Sequence, residues 1–203
     1  IKNPLTPMRL TVQSFERKFN PEDENIREKL REYSQTLIQQ IDVMSSIASA
    51  FSDFAKMPTQ QREKIEVISI VKLALDIFNE DFITYTTKET ELFANLDKTQ
   101  LIRIVTNLIK NALQASEKEE NPIIDVKVIS TKKNVKIIVS DNGKGILEEV
   151  KNLIFEPKFT TKSSGMGLGL PMIKNIIEAY DGTISFTSEE GIGTVFTVIL
   201  PKQ

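Results

Sequence analysis

The spacing of hydrophobic residues changes once along this chain, near residue 57, and that change limits the possible folds more than any other feature. Before it, apolar side chains recur at steps of three and four, the pattern of helices that pack along a seam. The segment Asn-Pro-Glu-Asp at residues 20–23 carries helix-start signals. We therefore expect an antiparallel helical hairpin over residues 1–56. One seam is Leu5, Met8, Val12, Phe15 and Phe19, and the other is Ile26, Leu30, Tyr33, Leu37, Ile41, Met44, Ala48 and Phe51.

A hairpin of this kind buries only one stripe of each helix. Pairing with a second copy would bury the remaining apolar surface in a four-helix bundle. The sequence therefore favours a homodimer formed through the hairpin. The alternative, in which the hairpin packs on the rest of its own chain, stays open at this point.

After this change the chain mixes strands and helices. Residues 57–61 are expected to form a hinge and residues 62–203 a domain. Residues 83–88 and 91–96 are expected to pair as a β-hairpin. Because strands and helices do not alternate regularly, we expect an α+β fold, a two-layer α/β sandwich. The other strands are predicted at 65–68, 123–130, 134–140, 183–188 and 194–200, and the helices at 69–78 (capped by Ser69), 97–117 and 170–180.

Composition excludes several functions. The 203 residues include 28 acidic and 26 basic side chains, so no strong basic field attracts nucleic acid or an anionic membrane. There is no cysteine, which excludes disulfides and thiolate metal sites and fits a reducing compartment. No apolar run approaches the ~20 residues of a membrane-spanning helix. A cytoplasmic location is expected, with any membrane anchor supplied by segments outside this sequence.

The helix predicted at 97–117 carries a pair of asparagines, Asn107 and Asn111. They share one face because residues four apart are neighbours on a helix. Amide oxygens are hard ligands that suit Mg²⁺. Lys110, near the same face, is able to meet a phosphate group as a point charge. A single helical asparagine usually caps a helix or faces water, but a pair within an apolar helix is harder to explain in that way.

The segment Asp-Asn-Gly-Lys-Gly-Ile, residues 141–146, follows the strand predicted at 134–140. A carboxylate at a strand end can accept a hydrogen bond from the amino group of adenine, and guanine has no donor at that position. Gly143 and Gly145 allow a close approach of the backbone or a sharp turn. Taken alone, the segment is more simply a turn after a strand.

A glycine-rich stretch, Gly-Met-Gly-Leu-Gly-Leu at residues 165–170, comes directly before the helix predicted at 170–180. Backbone N–H groups in such a stretch can face phosphate oxygens near the positive end of a helix. It is not a Walker loop, because no Gly-Lys-Ser/Thr follows, and it is not a dinucleotide fingerprint, because no strand enters it directly and the spacing is wrong. The long irregular segment before it, which contains Phe155 and Phe159, is typical of a mobile lid.

Taken in chain order, these stretches resemble the nucleotide-binding boxes of two-component sensor histidine kinases. The asparagine pair resembles the N box, residues 141–146 the G1 box, the segment with Phe155 and Phe159 the F box, and residues 165–170 the G2 box. The Gly-Ile-Gly-Thr-Val-Phe of residues 191–196 resembles the final Gly-Thr box. The N-terminal hairpin resembles that family's dimerisation and phosphotransfer module. The resemblance implies the Bergerat (GHKL-type) fold and binding of Mg-ATP. It also implies a nucleotide site made of Asn107, Lys110, Asn111, Asp141, Gly143, Gly145, Ile146, Phe155, Phe159, Thr160, Thr161, Lys162, Gly165, Met166, Gly167, Leu168, Gly169, Leu170 and Thr194.

The same resemblance gives the parts of this site separate roles. Asp141 would read the adenine base, and Thr194 would support the base through a hydrogen bond or a water molecule. Asn111 would ligate Mg²⁺, and Asn107 would support the site beside it. In the family, Mg-ATP lies between this long helix and the lid.

The phosphates would be held by Lys110, Lys162 and the backbone of residues 165–169. The family transfers the γ-phosphoryl group to a histidine of the hairpin and then to an aspartate of a response-regulator partner. Asn3 occupies the position at which the family places a polar residue that positions water for dephosphorylating the partner. Phosphatase activity is therefore expected as well.

The first seven residues, Ile-Lys-Asn-Pro-Leu-Thr-Pro, match the family's phosphoacceptor box from its third position onward. The first two positions of that box are histidine and glutamate, and this sequence contains no histidine. We expect that the pair was left out of this sequence, and a natural kinase without an acceptor is the alternative. These 203 residues alone are expected to bind and slowly hydrolyse ATP but not to autophosphorylate.

Two other functions remain open at this point. A different ATPase of the same superfamily, such as a chaperone or a topoisomerase subunit, would need additional transducer domains, and the hairpin argues against it. A non-enzymatic pseudokinase or scaffold would bind nucleotide and partner without transferring phosphate. Only the missing histidine supports that reading, because every nucleotide-binding box is intact.

Overall fold

The computed structural model describes residues 2–20, 23, 25–55, 60–157, 159 and 167–202. The chain divides into two compact units, Ile1–Met57 and Pro58–Gln203, and each is described by itself. Most of the expected hinge at 57–61 lies outside the described residues. Within the described residues, no helix combines the length and the apolar composition needed to cross a membrane.

The first unit consists of two helices, α1 (Lys2–Lys18) and α2 (Ile26–Ala55). Asp23 organises the turn between them. Its carboxylate accepts a hydrogen bond from the backbone N–H of Asn25 at 2.9 Å and from the ammonium group of Lys29 at 2.5 Å. A charged side chain that accepts bonds just before the first turn of α2 favours the start of that helix.

The two helices pack against each other through aromatic side chains near this turn. The ring of Phe15 lies 5.1 Å from that of Tyr33 and 5.2 Å from that of Phe19, measured between centroids. Four residues of the predicted seam nevertheless stay about half exposed, namely Val12, Phe19, Leu30 and Ile41. Among the described side chains of this unit, Leu10 and Ile38 are exposed to the same degree.

The second unit mixes short helices with a five-stranded sheet. The sheet has the strand order β2-β4-β5-β7-β6, in which the pair of β2 and β4 is parallel and the other pairs are antiparallel. Strands β1 and β3 form a separate antiparallel pair. In chain order the elements are β1 (Glu63–Glu66), α3 (Val67–Leu75), β2 (Ile83–Thr87), β3 (Phe93–Leu96), α4 (Lys98–Ala115), β4 (Ile124–Ser130), β5 (Asn134–Asp141), a 3-10 helix (Glu148–Leu153), α5 (Gly169–Glu178), β6 (Thr183–Glu189) and β7 (Gly193–Pro201).

The core of this unit lies between the sheet and the helices on one of its faces. Alternate residues of the central strands are fully buried there, as Val126, Ile137 and Val198 illustrate. Helix α4 packs on β4, β5 and β7, and it contributes buried residues such as Leu108 and Ile109. This two-layer arrangement agrees with the α+β fold expected from the sequence.

The predicted hairpin of residues 83–88 and 91–96 is wrong. Strand β2 pairs in parallel with β4, and β3 pairs with β1. Alternation of apolar and polar residues determines which face of a strand is buried, but it does not determine the neighbouring strand. The connecting sequence Lys-Glu-Thr-Glu also has no residue that favours a tight β-turn.

The predicted cap at Ser69 is also wrong, because α3 begins two residues earlier. The carboxylate of Glu66 accepts hydrogen bonds from the backbone N–H groups of Ile68 at 3.2 Å, Ser69 at 2.7 Å and Leu92 at 3.0 Å. Burial acts to raise the pKa of Glu66, but these bonds outweigh it and hold the pKa below its ordinary value. One side chain thus starts α3 and ties it to the residue before β3.

Candidate functional site

Helix α4 forms one side of the candidate site, and Asp97 fixes where it begins. The carboxylate of Asp97 is 8% exposed and accepts hydrogen bonds from the N–H groups of Thr99 at 2.8 Å and Gln100 at 3.1 Å. The backbone N–H of Asp97 donates to the hydroxyl of Tyr180 at 3.0 Å. Burial raises the pKa of Tyr180, which keeps this hydroxyl neutral. The start of α4 is therefore held to the end of α5.

The predicted asparagine pair lies on α4, where Asn107 and Asn111 are half-buried and Lys110 is exposed. The Nδ2 of Asn107 donates to the carbonyl oxygen of Arg103 at 2.8 Å, which fixes the direction of its Oδ1. A Cβ atom at Gly169 would lie 2.8 Å from that Oδ1. Asn107 therefore contacts the first residue of α5 only because that residue has no side chain.

The turn after β5, residues 141–146, is packed so closely that its glycines have no room for a side chain. A Cβ atom at Gly143 would lie 2.5 Å from the backbone of Ala115 at the end of α4. A Cβ atom at Gly145, whose φ is +68°, would lie 2.1 Å from the carbonyl oxygen of Glu189. The turn is thus held between α4 and the hairpin of β6 and β7.

Two side chains fasten the same turn at its sides. The Oδ1 of Asn142 accepts a hydrogen bond from the N–H of Ile123 at 2.8 Å, and its Nδ2 donates to the carbonyl oxygen of Asn121 at 2.9 Å. On the other side, the N–H of Ile146 donates to Oγ of Ser188 at 2.9 Å. Neither Asn142 nor Ser188 was among the predicted site residues.

Asp141, Thr194 and Ser188 form a row across three strands. Asp141 of β5 lies opposite Thr194 of β7, which lies opposite Ser188 of β6. Directly opposed residues project from the same face of a sheet, so the three polar side chains are neighbours. Oδ1 of Asp141 accepts a hydrogen bond from the N–H of Gly143 at 3.0 Å, and Oγ1 of the buried Thr194 lies 2.9 Å from Oγ of Ser188.

The segment predicted to be an irregular lid contains a short helix in its described part. It begins with the 3-10 helix, and Phe155 follows with its ring 6.0 Å from that of Phe186 between centroids. The ammonium group of Lys174 lies 5.5 Å from the centroid of the Phe155 ring. Phe155 and Phe159 both pack against the core of this unit, so both help to anchor this described part.

The start of α5 presents backbone N–H groups that have no partner within the helix. Gly167 precedes it with a φ of +62°, a conformation that favours glycine. Leu168 and Leu170 beside Gly169 are half-buried. The remaining predicted contacts lie outside the described residues. These are Thr160, Thr161, Lys162, Gly165 and Met166, together with the side chain of Asn3.

Fold and site together define a class of protein, an α/β sandwich in which a long helix and several glycine-bearing turns surround a row of polar side chains. The chain belongs to the histidine kinase-, DNA gyrase B- and HSP90-like ATPase family, whose sequence profile matches residues 96–203. The match begins at the last residue of β3 and includes every described residue of the site.

Relatives among curated proteins match almost the whole chain. The NtrY-like sensor histidine kinase of Rickettsia conorii is 31% identical over 202 residues, which are 98% of this chain and 34% of that protein. The sensor histidine kinase ZraS of Escherichia coli is 28% identical over 207 residues, 99% of this chain and 43% of that protein. The chain thus spans less than half the length of these relatives. The predicted resemblance to sensor histidine kinases is confirmed.

Solved structures give the same result for the fold. The catalytic domain of the histidine kinase ThkA is 30% identical, with a TM-score of 0.63 over 70% of this chain and 96% of that one. The structure of ThkA in complex with the response regulator protein TrrA covers 100% of this chain, and this chain covers 58% of it. Its TM-score is 0.75 at 22% identity, so that comparison concerns the fold alone.

Proposed function

We propose that this chain is the kinase core of a two-component sensor histidine kinase, whose second unit binds Mg-ATP. The observation that carries the proposal is the convergence of the predicted boxes on one half of α4. Asn107 contacts Gly169 at the start of α5, and Ala115, two turns later, contacts Gly143 in the turn after β5. Motifs that are as many as 62 residues apart in the chain, as Asn107 and Gly169 are, therefore lie against the same helix.

Asp141 is proposed to read the base. The hydrogen bond from the N–H of Gly143 fixes the direction of its side chain. The carboxylate would accept a hydrogen bond from the amino group of adenine, whereas the oxygen of guanine at the same position would meet a negative charge. Thr194, the opposite residue on β7, would support the same edge of the base.

The metal and the phosphates are proposed to lie along α4 and the start of α5. Within the described residues, no cluster of three or more Asp, Glu, His or Cys side chains could hold a metal. The amide oxygen of Asn111 fits Mg²⁺, which needs few protein ligands when phosphate oxygens and water supply the rest. Mg²⁺ would neutralise charge on the phosphates. Asn107 would support it, and the phosphates would also meet Lys110, the N–H groups at Gly167 and Gly169, and the lid residues Thr160, Thr161, Lys162, Gly165 and Met166.

The proposed reaction is transfer of the γ-phosphoryl group from ATP to an imidazole nitrogen. The bond between the γ-phosphorus and the bridging oxygen breaks, a phosphorus–nitrogen bond forms, and ADP leaves. Positioning and charge neutralisation supply most of the catalysis in such transfers. These 203 residues contain no histidine, so the acceptor of this reaction lies outside them.

The hairpin is proposed to form a homodimer with a second copy. Six of the described large apolar side chains of the first unit are about half exposed, five of them on α1 and α2 and one, Phe19, directly after α1. Apolar side chains grouped on a surface in this way are typical of an interaction site. Two such hairpins would bury these side chains in a four-helix bundle. Salt-insensitive dimerisation of residues 1–57, measured by analytical ultracentrifugation, would support this, and a monomer at high concentration would contradict it.

The partner of the kinase core is proposed to be the receiver domain of a response regulator. The support is the similarity to sensor histidine kinases, together with the fold shared with ThkA, whose structure contains the response regulator protein TrrA. Asn3 would position water for dephosphorylation of that partner. The core is proposed to work in the cytoplasm, with an inner-membrane anchor supplied from outside this sequence.

The absence of histidine favours a second candidate function, a nucleotide-binding pseudokinase or scaffold. One experiment separates the two. The chain, and a variant extended at its N-terminus by His-Glu to complete the phosphoacceptor box, are incubated with γ-labelled ATP and Mg²⁺. A matched extension by Ala-Glu is the control.

Label that is acid-labile and base-stable, and that is found only on the His-Glu variant, would support the kinase. Absence of label from every variant, despite measurable Mg-ATP binding, would favour the pseudokinase. Absence of both label and ATP binding would contradict the proposal and leave a different function within the ATPase family.

A further inference from the structure

Ser188 lies at the centre of a hydrogen-bond network whose proton positions can be counted. Its Oγ is 2.9 Å from three atoms, namely the backbone nitrogen of Ile146, the carbonyl oxygen of Gly193 and Oγ1 of Thr194. A serine hydroxyl has one proton to donate and two lone pairs to accept with. All three of these capacities are therefore used by protein groups.

The chemistry of the partners fixes the direction of each bond. The N–H of Ile146 can only donate, and the carbonyl of Gly193 can only accept. All three contacts are at hydrogen-bond distance, so we assign the single proton of Ser188 to Gly193, the one partner that has no proton of its own to share. Thr194 must then donate its own proton to the second lone pair of Ser188. A group that approaches Oγ1 of Thr194 therefore meets lone pairs and no proton.

We propose that Ser188 is a specificity-determining residue, which commits the hydroxyl proton of Thr194 and leaves the side chains of Asp141 and Thr194 able only to accept hydrogen bonds from the base. The inference rests on the proposed function, in which Asp141 and Thr194 face the base. The amino group of adenine donates, and two acceptors in one row would suit it. The oxygen of guanine at the same position accepts, and it would find no donor in that row.

The test compares three nucleotides on the full 203-residue chain by isothermal titration calorimetry with Mg²⁺. They are ATP, GTP and purine riboside triphosphate, which lacks the amino group of adenine. In Ser188→Ala the proton of Thr194 is released and can turn toward the ligand. We expect the preference for ATP over GTP, and over the purine nucleotide, to fall about threefold to tenfold, the range for one net hydrogen bond.

Three further variants make the test specific. Ser188→Thr keeps the hydroxyl and should keep the preference, and Ser185→Ala removes an exposed serine from the same strand as a matched control. Thr194→Val should lower the preference for ATP over GTP as Ser188→Ala does. The double variant, with both Thr194→Val and Ser188→Ala, should lower that preference no further than either single variant. If thermal melting shows that Ser188→Ala is unfolded, Ser188→Cys replaces it, because a cysteine thiol forms only weak hydrogen bonds.

The outcomes separate this inference from the proposed function. Equal loss of affinity for all three nucleotides in Ser188→Ala would overturn the inference, because Ser188 would then only fasten the turn through Ile146. The proposed function would stand in that case. A wild-type chain that binds no adenine nucleotide would overturn both.

Discussion

The Oδ1 atom of Asn107 lies 2.8 Å from the point that a Cβ atom at Gly169 would occupy. The Nδ2 of the same side chain donates to the carbonyl oxygen of Arg103, so Asn107 cannot turn away without losing that hydrogen bond. The middle of α4 and the first residue of α5 therefore meet through a side chain of the proposed nucleotide site.

Gly169→Ala is expected to disturb the site while leaving the fold intact. The added methyl group meets the tip of a side chain and no backbone atom, so the free energy of unfolding should change by less than about 1 kcal/mol. Displacement of Asn107 should weaken ATP binding about tenfold, because a positioned polar contact is lost. Urea denaturation and calorimetric titration measure the two quantities. The same loss of affinity in an Asn107→Ala background would show that the effect does not pass through Asn107.

Gly193→Ala is expected to destabilise the second unit strongly. Gly193 has a φ of +144°, and its Cβ atom would lie 2.0 Å from the carbonyl oxygen of Asp141, where a backbone atom must move. We expect a loss of more than about 3 kcal/mol in the free energy of unfolding. Gly191→Ala is the matched control, because Gly191 also has a positive φ, of +75°, but its Cβ atom would meet nothing within 4 Å. Gly191→Ala should lower the free energy of unfolding by only about 1 kcal/mol. Equal losses for the two variants would contradict this account.

Tyr85→Phe is expected to keep or raise stability at neutral pH. The hydroxyl of Tyr85 is buried and has no hydrogen-bond partner in the part of the chain that the structure describes. Removing an unsatisfied polar group should change the free energy of unfolding by about 0 to 1 kcal/mol in the favourable direction. Tyr180→Phe is the control of opposite sign, because it removes the acceptor for the N–H of Asp97. A clear destabilisation by Tyr85→Phe, measured in urea, would mean that the hydroxyl has a partner.

The same tyrosine predicts a pH dependence at alkaline pH. Burial, assisted by the negative charge of Glu66, raises the pKa of Tyr85 from 10.0 to about 12. Between these values the unfolded chain releases the proton and the folded chain retains it, so stability falls as pH rises. Tyr85→Phe should lose less stability than the wild type over this range. Parallel denaturation curves at increasing pH test this, and identical slopes for the two proteins would contradict it.

Glu66→Gln is expected to lower the free energy of unfolding at neutral pH, and to lower it by a smaller amount at acidic pH. The folded pKa of Glu66 lies below its ordinary value of 4.5, so the stability from its charge is present above that value and is lost as pH falls through the folded pKa. Loss of a charged cap should cost about 1 to 2 kcal/mol at about pH 7. The difference between variant and wild type, measured by denaturation, should shrink as the pH falls from 4.5 through the folded pKa. An equal difference at neutral and acidic pH would contradict the role assigned to the charge.

The sequence predicted the local features of the site well, because each depends on neighbours in the chain. The spacing of Asn107 and Asn111 follows from helical geometry, and α4 begins and continues where the cap at Asp97 and its apolar face indicate. The change of hydrophobic period near residue 57 coincides with the boundary between the two compact units. The roles of these residues in binding remain predictions.

Features that depend on distant partners could not be predicted in the same way. The alternating pattern of β2 and β3 fits several neighbours, and only the assembled core selects β4 and β1. The contact of Ser188 with Thr194 could have been predicted from the sequence, because a hairpin that turns at residues 190–192 brings the two residues opposite each other. The contacts of Asn142 with residues 121–123 had no signal in the sequence, because a loop without regular structure supplies the partners.

The central claim, that the second unit binds adenine nucleotide through Asp141, is tested most directly by calorimetric titration of Asp141→Asn with Mg-ATP and Mg-GTP. Asparagine has nearly the same shape and can still accept the hydrogen bond from Gly143, but it then presents an amide donor where the carboxylate accepted. The account predicts that the wild-type chain binds ATP and discriminates against GTP, and that the variant loses at least about tenfold in ATP affinity with its fold unchanged. Equal binding of ATP by the folded variant and the wild type would contradict it.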